Sequence, residues 1–336
     1  MKKFFRHILV FFIPFFGMLV WYLVEDPFMV VRFYDDYFPS NSRRFCSNDA
    51  FRGIRLLDLY SDSIRYNAFI LGSSRSDFYY AKDWQIATGK SLRCFHFNQS
   101  GDNLLGMVQR INYLYRRFEQ IDDMLLIMDH EFLSDIEPKE GPLFREPYQV
   151  TEMSDFVSFH WSFLRTFYSV DFQRRYWSEG GNRSFGEGEY DAFSNELHKS
   201  NAEISIEKAP EKYYKSLPVG YQLYPRDSVQ KIAPIILGEE QKSLLVTLAN
   251  LLDTHHTDYR IIISPLYDQV KLNPSDSLYL SSIFSPKRFF DFSGINRFTS
   301  DTLNYYENSH YRPILCRLLL DSVYTNVFEP KITDSN

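Results

Sequence analysis

The sequence predicts an α/β fold in which helices cover both faces of a parallel sheet, giving three layers. The first observation is an alternation of short apolar strands and amphipathic helices between residues 66 and 130. The second is that the alternation resumes near residue 238, with a helix at 239–252, a strand at 259–264 and a last helix at 313–324. Strands that alternate with helices pair in parallel, because each helix carries the chain back across the sheet.

The 336 residues have a formal net charge of −6, and 44% of them are hydrophobic. This length is enough for one large domain or two small ones with a packed core. Acidic and basic residues are interspersed without a basic stripe, which argues against nucleic acid as a partner. Cys46, Cys94 and Cys316 are far apart and form no CxxC pair, so we expect neither a disulfide framework nor a metal-binding spacing. A bridge from Cys46 to either of the other two stays open.

The amino-terminal segment has the pattern of a membrane anchor. Lys2, Lys3 and Arg6 precede an uncharged run of 17 residues, Ile8 to Val24, which would be about 26 Å long as a helix. We predict one transmembrane signal anchor at residues 4–25 of the plasma (inner) membrane, with a cytoplasmic N-terminus and an extracytoplasmic main domain. The alternative is a cleaved signal peptide, whose apolar run would end in small residues; this run does not.

Residues 28–330 are expected to form a single α/β domain. In addition to the segments above, helices are predicted at 51–60 and 104–118, and strands at 66–72, 92–97, 124–128 and, more weakly, 289–292. The alternation pauses at about 133–235. We interpret this segment as an insertion or lid that could carry a partner-binding surface, because long insertions often hold function.

The first predicted strand ends at Gly72 and is followed by Ser73 and Ser74. An apolar run closed by glycine is typical of a buried strand that enters a tight turn. A serine at the carboxyl end of a parallel strand lies where open α/β sheets place their chemistry, so it is a candidate nucleophile. The alternative is that serine only caps the next helix, a position that favours this residue.

A candidate base precedes the last helix. His310 lies shortly before Pro313, a favourable first residue of a helix, and Glu307 lies three residues ahead of the histidine. If the loop is tight, a carboxylate at this spacing can bond to Nδ1 of the imidazole, as the third member of a catalytic triad does. The alternative is an ordinary solvated loop.

The order of these segments resembles the SGNH/GDSL hydrolase superfamily, and most closely its membrane-anchored, extracytoplasmic branch related to the D-alanylation and alginate O-acetylation proteins. The matching blocks are Gly72-Ser73-Ser74-Arg75, Gly101 in Asn98-Gln99-Ser100-Gly101, and Glu307-x-x-His310 with Glu in place of Asp. The resemblance covers about 60–132 and 238–325. It implies an SGNH-like, flavodoxin-like sheet, with Ser74 as the nucleophile and Gly101 as an oxyanion donor.

The third block of that family usually supplies an asparagine after the third strand, where this chain has Asp129. An ionised aspartate cannot donate a hydrogen bond to an oxyanion. Asn98 and Asn103 are the candidates to replace this donor. Otherwise the oxyanion hole would consist of the backbone N–H groups of Ser74 and Gly101.

The resemblance implies an acyl-ester hydrolase or O-acyltransferase that acts on an envelope glycan or lipid in the periplasm by a Ser-His-Glu mechanism, without a cofactor. Its expected partners are the membrane, through the N-terminal helix, and a membrane protein that donates the acyl group. Arg75 is a candidate to bind a substrate carboxylate or phosphate, or else to pair with an acid. His130-Glu131 lacks the second histidine of a zinc helix motif, so no metal is expected. The alternative function is a catalytically inactive SGNH-like domain that binds a glycan or a membrane-protein partner.

Overall fold

A five-stranded parallel sheet lies at the centre of the protein. The computed structural model describes residues 2–39, 43–151, 155–178 and 188–325. The strands, in chain order, are β1 (Ala68–Leu71), β2 (Cys94–His96), β3 (Asp123–Met128), β4 (Gly188–Asp191), β5 (Glu196–Ser200), β6 (Lys231–Ile232), β7 (Asp258–Ile263), β8 (Val270–Lys271) and β9 (Phe289–Asp291).

Helices connect and cover these strands. They are, in chain order, α1 (Lys2–Glu25), α2 (Asp49–Ile64), α3 (Ala81–Thr88), α4 (Leu104–Arg117), α5 (His130–Ser134), α6 (Phe156–Phe167), α7 (Val170–Ser178), α8 (Asn201–Lys208), α9 (Pro210–Lys215), α10 (Glu239–Thr254), α11 (Pro274–Phe284) and α12 (Pro313–Thr325). Short 3-10 helices cover Ser74–Phe78 and Thr302–Asn304.

The central sheet has the order β2-β1-β3-β7-β9, and each adjacent pair is parallel. Counted along the chain, its strands therefore run 2-1-3-4-5, which is a doubly wound order. In such sheets the ligand binds beside the carboxyl ends of the strands, where the strand order reverses. This point lies at the end of β1. The predicted three-layer α/β architecture is confirmed.

Helices lie on both faces of the sheet because the side chains of each strand alternate between two apolar layers. Phe69 and Leu71 point into the layer that contains α2, α4, α10 and α11. Ala68 and Ile70, between and beside them, point into the layer that contains α3 and α12. All six residues of β3 are buried, as expected for a central parallel strand.

The predicted elements of the sheet agree closely with the structure. The strand predicted at 66–72 is β1, and the helix predicted at 51–60 is longer at both ends, spanning Asp49–Ile64. Helix α11 was not among the predicted elements. The predicted end of the domain at residue 330 lies outside the described residues.

The amino-terminal segment is one helix, α1, from Lys2 to Glu25. Among the residues that the structure describes, no helix combines the length and the apolar character needed to cross a membrane, so the span predicted at 4–25 is not found. The last turns of α1 pack on the insertion, where the ring of Tyr22 lies 5.2 Å from that of Phe167 in α6.

The predicted insertion is attached to the edge of the central sheet. The N–H of His96 in β2 donates to the carbonyl of Ser194 at 2.8 Å, and Asn195 returns a bond to the carbonyl of His96. Strand β5 follows this contact and pairs with β4 in antiparallel fashion. The contact aligns β5 beside the end of the sheet where β1 finishes.

Helix α4 carries a fully buried arginine that holds two carboxylates. Arg110 hydrogen-bonds to Asp102 and to Glu146, and both acids are largely buried. Burial raises the pKa of the Glu146 carboxyl, Arg110 opposes this shift, and the like charge of Asp102 adds to it. One cation shared by two buried carboxylates therefore favours a folded state that keeps a proton.

Candidate active site

Ser74 lies at the turn that leaves the central strand β1. Gly72 closes the strand, and a Cβ atom at this position would lie 2.7 Å from the carbonyl oxygen of Ile127 in the neighbouring strand. The backbone passes too close to β3 for any side chain. Ser73 then caps the 3-10 helix that begins at Ser74 by accepting the N–H of Arg75 at 3.5 Å. The two serines therefore have separate places, and only Ser73 is the cap.

His310 lies within hydrogen-bond distance of this serine. Ser74 Oγ is 2.8 Å from His310 Nε2, although 236 positions separate the two residues in the sequence. Glu307 Oε1 forms a hydrogen bond to His310 Nδ1. Because a carboxylate only accepts, Nδ1 carries the proton and Nε2 is left to accept the proton of the serine hydroxyl.

The loop that carries His310 is tight, as the predicted bond between Glu307 and Nδ1 of the histidine requires. Tyr305 and Tyr311 form a β-bridge, and the N–H of Tyr306 donates to the carbonyl of His310 at 2.9 Å. The second oxygen of Glu307 accepts the N–H of Ser309 at 2.6 Å. Both carboxylate oxygens are thus engaged within the loop, and they fix the ring of the histidine against rotation.

Ser74, Glu307 and His310 line a pocket of about 240 Å³. The other residues of its wall come from two sources, the 3-10 helix with the histidine loop and the insertion. They are Asp77, Phe78, Tyr306, Leu197, Ser200, Ala202 and Tyr213. The mixture of apolar rings and a few hydroxyl and carboxyl groups is typical of a small-molecule site.

The insertion forms one side of this pocket and is joined to the histidine loop by polar contacts. Ser200 at the end of β5 donates to the hydroxyl of Tyr306 at 3.0 Å. Glu203 in α8 binds the guanidinium of Arg312 through two bonds, at 2.6 and 3.1 Å. A paired carboxylate and guanidinium of this kind set orientation as well as distance. The side of the pocket formed by the insertion therefore has a fixed position relative to His310.

Two tyrosines of the wall are donors rather than bases. Burial raises the pKa of Tyr213 to about 12, and the negative charge of Glu307 adds to the shift. Burial also raises the pKa of Tyr306. Both phenols keep their protons near neutral pH, so they can donate hydrogen bonds but cannot take the proton of Ser74.

Arg75 joins three parts of the site. Its Nη1 is 2.5 Å from Asp129 Oδ2, its Nη2 is 3.4 Å from Glu131, and its Nε donates to the carbonyl of Ser309 at 3.1 Å. Burial lowers the pKa of Arg75, but the two carboxylates raise it above its ordinary value overall. Of the two roles considered for this residue, the structure has the ion pair with an acid.

Two of the predicted oxyanion donors, Gly101 and Asn103, are not part of the pocket around Ser74. Asn103 caps α4 and donates to Asp135 and to the carbonyl of Glu137. A Cβ at Gly101 would meet the ring of Phe144 at 2.9 Å, and neither Gly101 nor Asn103 lines the pocket. Gly101 and Asn103 instead contact residues 135–145, because the loop before α4 folds toward that segment.

Asn98 does not line the pocket, but it contacts a residue that does. Its Nδ2 donates to Asp77 Oδ1, and Asp77 is part of the pocket wall. The backbone N–H of Ser74 has no acceptor within the described chain. This N–H is therefore the group beside the nucleophile that is available to a developing oxyanion.

Sequence reasoning did not identify Asp77, although a signal was present. Asp77 follows Ser74 by three residues, and residues at this spacing eclipse each other on a 3-10 helix. The wall residues of the insertion, such as Tyr213, carry no local signal that relates them to Ser74.

No group of histidine, cysteine and acidic side chains suited to a metal ion occurs among the residues described here. Cys46, Cys94 and Cys316 are buried free thiols, so neither of the bridges left open by the sequence is formed. Burial raises the pKa of Cys46 and of Cys94 to about 12, which keeps both thiols protonated and unreactive.

Comparison with models of known protein families finds no match to this chain. Comparison with curated protein sequences likewise finds none. The fold and the geometry of the pocket therefore carry the functional argument.

Proposed function

We propose that the protein is a serine acyl-ester hydrolase or O-acyltransferase of the SGNH type. The observation that carries this proposal is the continuous chain of hydrogen bonds from Ser74 Oγ through His310 to Glu307. These are the nucleophile, the base and the orienting acid of a catalytic triad in their required mutual contacts. Their place at the carboxyl end of β1, in a 2-1-3-4-5 sheet, supports the SGNH-like and flavodoxin-like interpretation.

The reaction begins when Ser74 Oγ attacks an ester carbonyl while its proton moves to His310 Nε2. The resulting imidazolium is stabilised by Glu307, and the oxyanion is stabilised by the N–H of Ser74. When the carbon–oxygen bond to the leaving alcohol breaks, His310 gives it the proton, and an acyl-Ser74 ester remains. Water or a sugar hydroxyl then attacks this ester, its proton passes to His310, and the proton finally returns to Ser74.

A catalytically inactive binding domain is the second candidate. The observation in its favour is that the side chains of the described pocket wall include no amide or cation, and Asp77 places a carboxylate there. Loss of one oxyanion donor lowers turnover by roughly 10²–10³ in other serine enzymes. In this case the pocket would bind a glycan or a partner without turning it over.

We propose that the protein is anchored in the plasma (inner) membrane by α1, with its main domain on the extracytoplasmic side. This is supported by the 24-residue length of α1, by exposed phenylalanines on it such as Phe11 and Phe16, and by the basic residues that precede its apolar run. A site held beside the membrane would act on an envelope glycan or lipid, with a membrane protein as the source of the acyl group.

The test is covalent labelling of the full-length protein in detergent by a fluorophosphonate probe, together with hydrolysis of p-nitrophenyl acetate. We expect both signals in the wild type and neither in Ser74→Ala or His310→Ala. Two exposed positions outside the pocket supply matched controls, Ser205→Ala and His256→Asn, which should behave as the wild type.

Equal labelling of the wild type and of Ser74→Ala would refute a nucleophilic role for this serine. If the wild type neither labels nor hydrolyses the ester, while its far-ultraviolet circular dichroism shows a folded α/β protein, the binding function is favoured instead.

A further inference from the structure

The corner between helices α6 and α7 lies against the side of α1. The hydroxyl of Tyr168, in this corner, donates to the backbone carbonyl of Phe15 at 2.6 Å. Near the end of α7, the ring of Trp177 lies 5.3 Å from that of Trp21. Phe15 precedes the end of α1 at Glu25 by ten residues, which corresponds to about 15 Å along the helix axis. The corner therefore reaches well down the helix.

The outer side of this corner is apolar and uncovered. Val170 is 74% exposed, and Trp161 and Trp177 are exposed as well. The ring of Trp177 packs on that of Trp21, which is itself exposed on α1, so the apolar surface of the corner continues onto α1. A continuous patch of this kind marks an interaction surface rather than scattered exposure.

The charges around the corner are positive, although the whole chain is negative. Residues 156–178 contain three arginines and one aspartate, a net charge of +2, against −6 for the chain. Beside α6, Arg145 and Arg165 line a groove of about 620 Å³ together with the hydroxyls of Ser162 and Thr166 and one acid, Glu140, so the groove has one net positive charge. Neither arginine has an ion-pair partner within the described parts of the chain.

We infer that the α6–α7 corner is a second membrane contact, which enters the lipid interface beside α1 with Val170 and Trp177 while the arginines of the groove bind phosphate head groups. Tryptophan rings favour the membrane interface, and arginine binds phosphate through paired hydrogen bonds. The inference rests on the membrane anchoring proposed above, and it adds a contact that would hold the pocket at a set height over the bilayer.

Lipid is the occupant that these observations favour because the patch is continuous with α1 itself. Tyr168 contacts α1 at Phe15. The corner therefore has the same surroundings as the part of α1 near Phe15. Helix α6 then leads away from this level, and Phe159 near its other end stacks on Phe51 of the main domain. An exposed residue at the start of α6 and one in the corner should therefore differ in their contact with lipid.

Val157 and Val170 form a matched pair for testing this difference, because they are 73% and 74% exposed. Each is changed to cysteine in the full-length chain, whose three native thiols are buried, and is labelled with an environment-sensitive fluorophore. The proteins are reconstituted into vesicles of phosphatidylcholine and phosphatidylglycerol, with or without bromine on the acyl chains. Phe16→Cys, on α1, reports separately on the anchor.

We expect brominated lipid to remove most of the fluorescence at Val170→Cys and to leave that at Val157→Cys unchanged. Retention of the Val170 signal would overturn the inference, whatever Phe16 shows, and loss at both valines would overturn the restriction to the corner. A Phe16 signal that survives would refute the anchor on which the inference rests, whereas loss at Phe16 with retention at Val170 would refute the corner contact alone. If bismaleimide joins two chains through Val170→Cys while lipid leaves this label bright, a second copy of the chain covers the corner instead.

Discussion

Replacing Asp129 by asparagine would separate the two roles that this position could have. In the structure Asp129 Oδ2 accepts from Arg75 at 2.5 Å, and Oδ1 accepts the N–H of Phe132 at 3.0 Å, which caps α5. Asparagine retains one carbonyl oxygen for the cap, but its amide nitrogen cannot accept from a guanidinium. The substitution therefore removes one charge-assisted hydrogen bond and leaves the cap in place.

The cost can be worked out from the surroundings of the pair. A hydrogen bond to a charged group contributes about 1.5–3 kcal/mol. The side chain of Asp129 is 2% exposed, whereas that of Glu131, the remaining acid, is 68% exposed and lies 3.4 Å from the guanidinium. Solvent screening lets Glu131 compensate little. We expect Asp129→Asn to lower the free energy of unfolding by about 2 kcal/mol.

The same substitution should affect turnover through Arg75. Its Nε holds the carbonyl of Ser309, the residue before the candidate base His310. A displacement of about 1 Å at a reacting group can cost about 10² in rate. We therefore expect slower hydrolysis of p-nitrophenyl acetate, with a larger effect on kcat than on KM.

Urea denaturation and ester hydrolysis, measured on the same preparations, check both expectations. Glu131→Gln is the control, since it removes only the exposed partner and should change stability by less than about 0.5 kcal/mol. If Asp129→Asn is as stable as the wild type and turns over ester faster, an amide at this position donates to the oxyanion. The anchoring role assigned to the aspartate would then be wrong.

Three further predictions concern other acids of the domain. Glu307→Gln should lower kcat roughly 10⁴-fold, because His310 loses the carboxylate that holds its tautomer; a circular dichroism spectrum equal to that of the wild type excludes misfolding, and near-normal kcat would contradict the triad. Glu146 keeps a proton beside Arg110 that the unfolded chain releases, so the free energy of unfolding should fall as the pH rises above 4.5, the ordinary pKa of this carboxyl. Glu146→Gln should flatten that dependence, and two parallel curves would contradict it. Glu203→Ala removes the ion pair that joins the insertion to Arg312 in the histidine loop and should raise KM roughly tenfold, about 1.4 kcal/mol, with kcat largely retained in steady-state kinetics.

The sequence was sufficient to predict the central sheet because its signals are local. The buried strand β3 consists of a continuous apolar run after Asp123, and the helices beside it show an amphipathic period. Helix α11 was missed because its apolar pattern is irregular: Leu280 and Phe284 are buried, whereas Leu278, in the same run, is exposed. Its start could have been found from Asn273 and Pro274, a cap followed by a favourable first residue.

The contact among Ser74, His310 and Glu307 was also predicted from the sequence, for a physical reason. Parallel strands place their carboxyl ends at one edge of the sheet, so residues that follow different strands come together there. The spacing of Glu307 and His310 within one tight loop then leaves little freedom. Gly101 and Asn103 do not lie beside these three residues, because the loop before α4 packs against residues 135–145. No local sequence pattern indicates this long-range contact.

The pocket wall illustrates the same limit and suggests what decides the substrate. Leu197, Ser200 and Tyr213 reach the site because distant contacts hold the insertion, among them the backbone contact of His96 with Ser194 and the ion pair of Glu203 with Arg312. These are tertiary contacts between residues far apart in the sequence. The chemistry of the site thus depends on the sheet, whereas the shape of the pocket depends on the insertion. Changes within the insertion should alter which acyl group is accepted while the bond from Ser74 to its base remains.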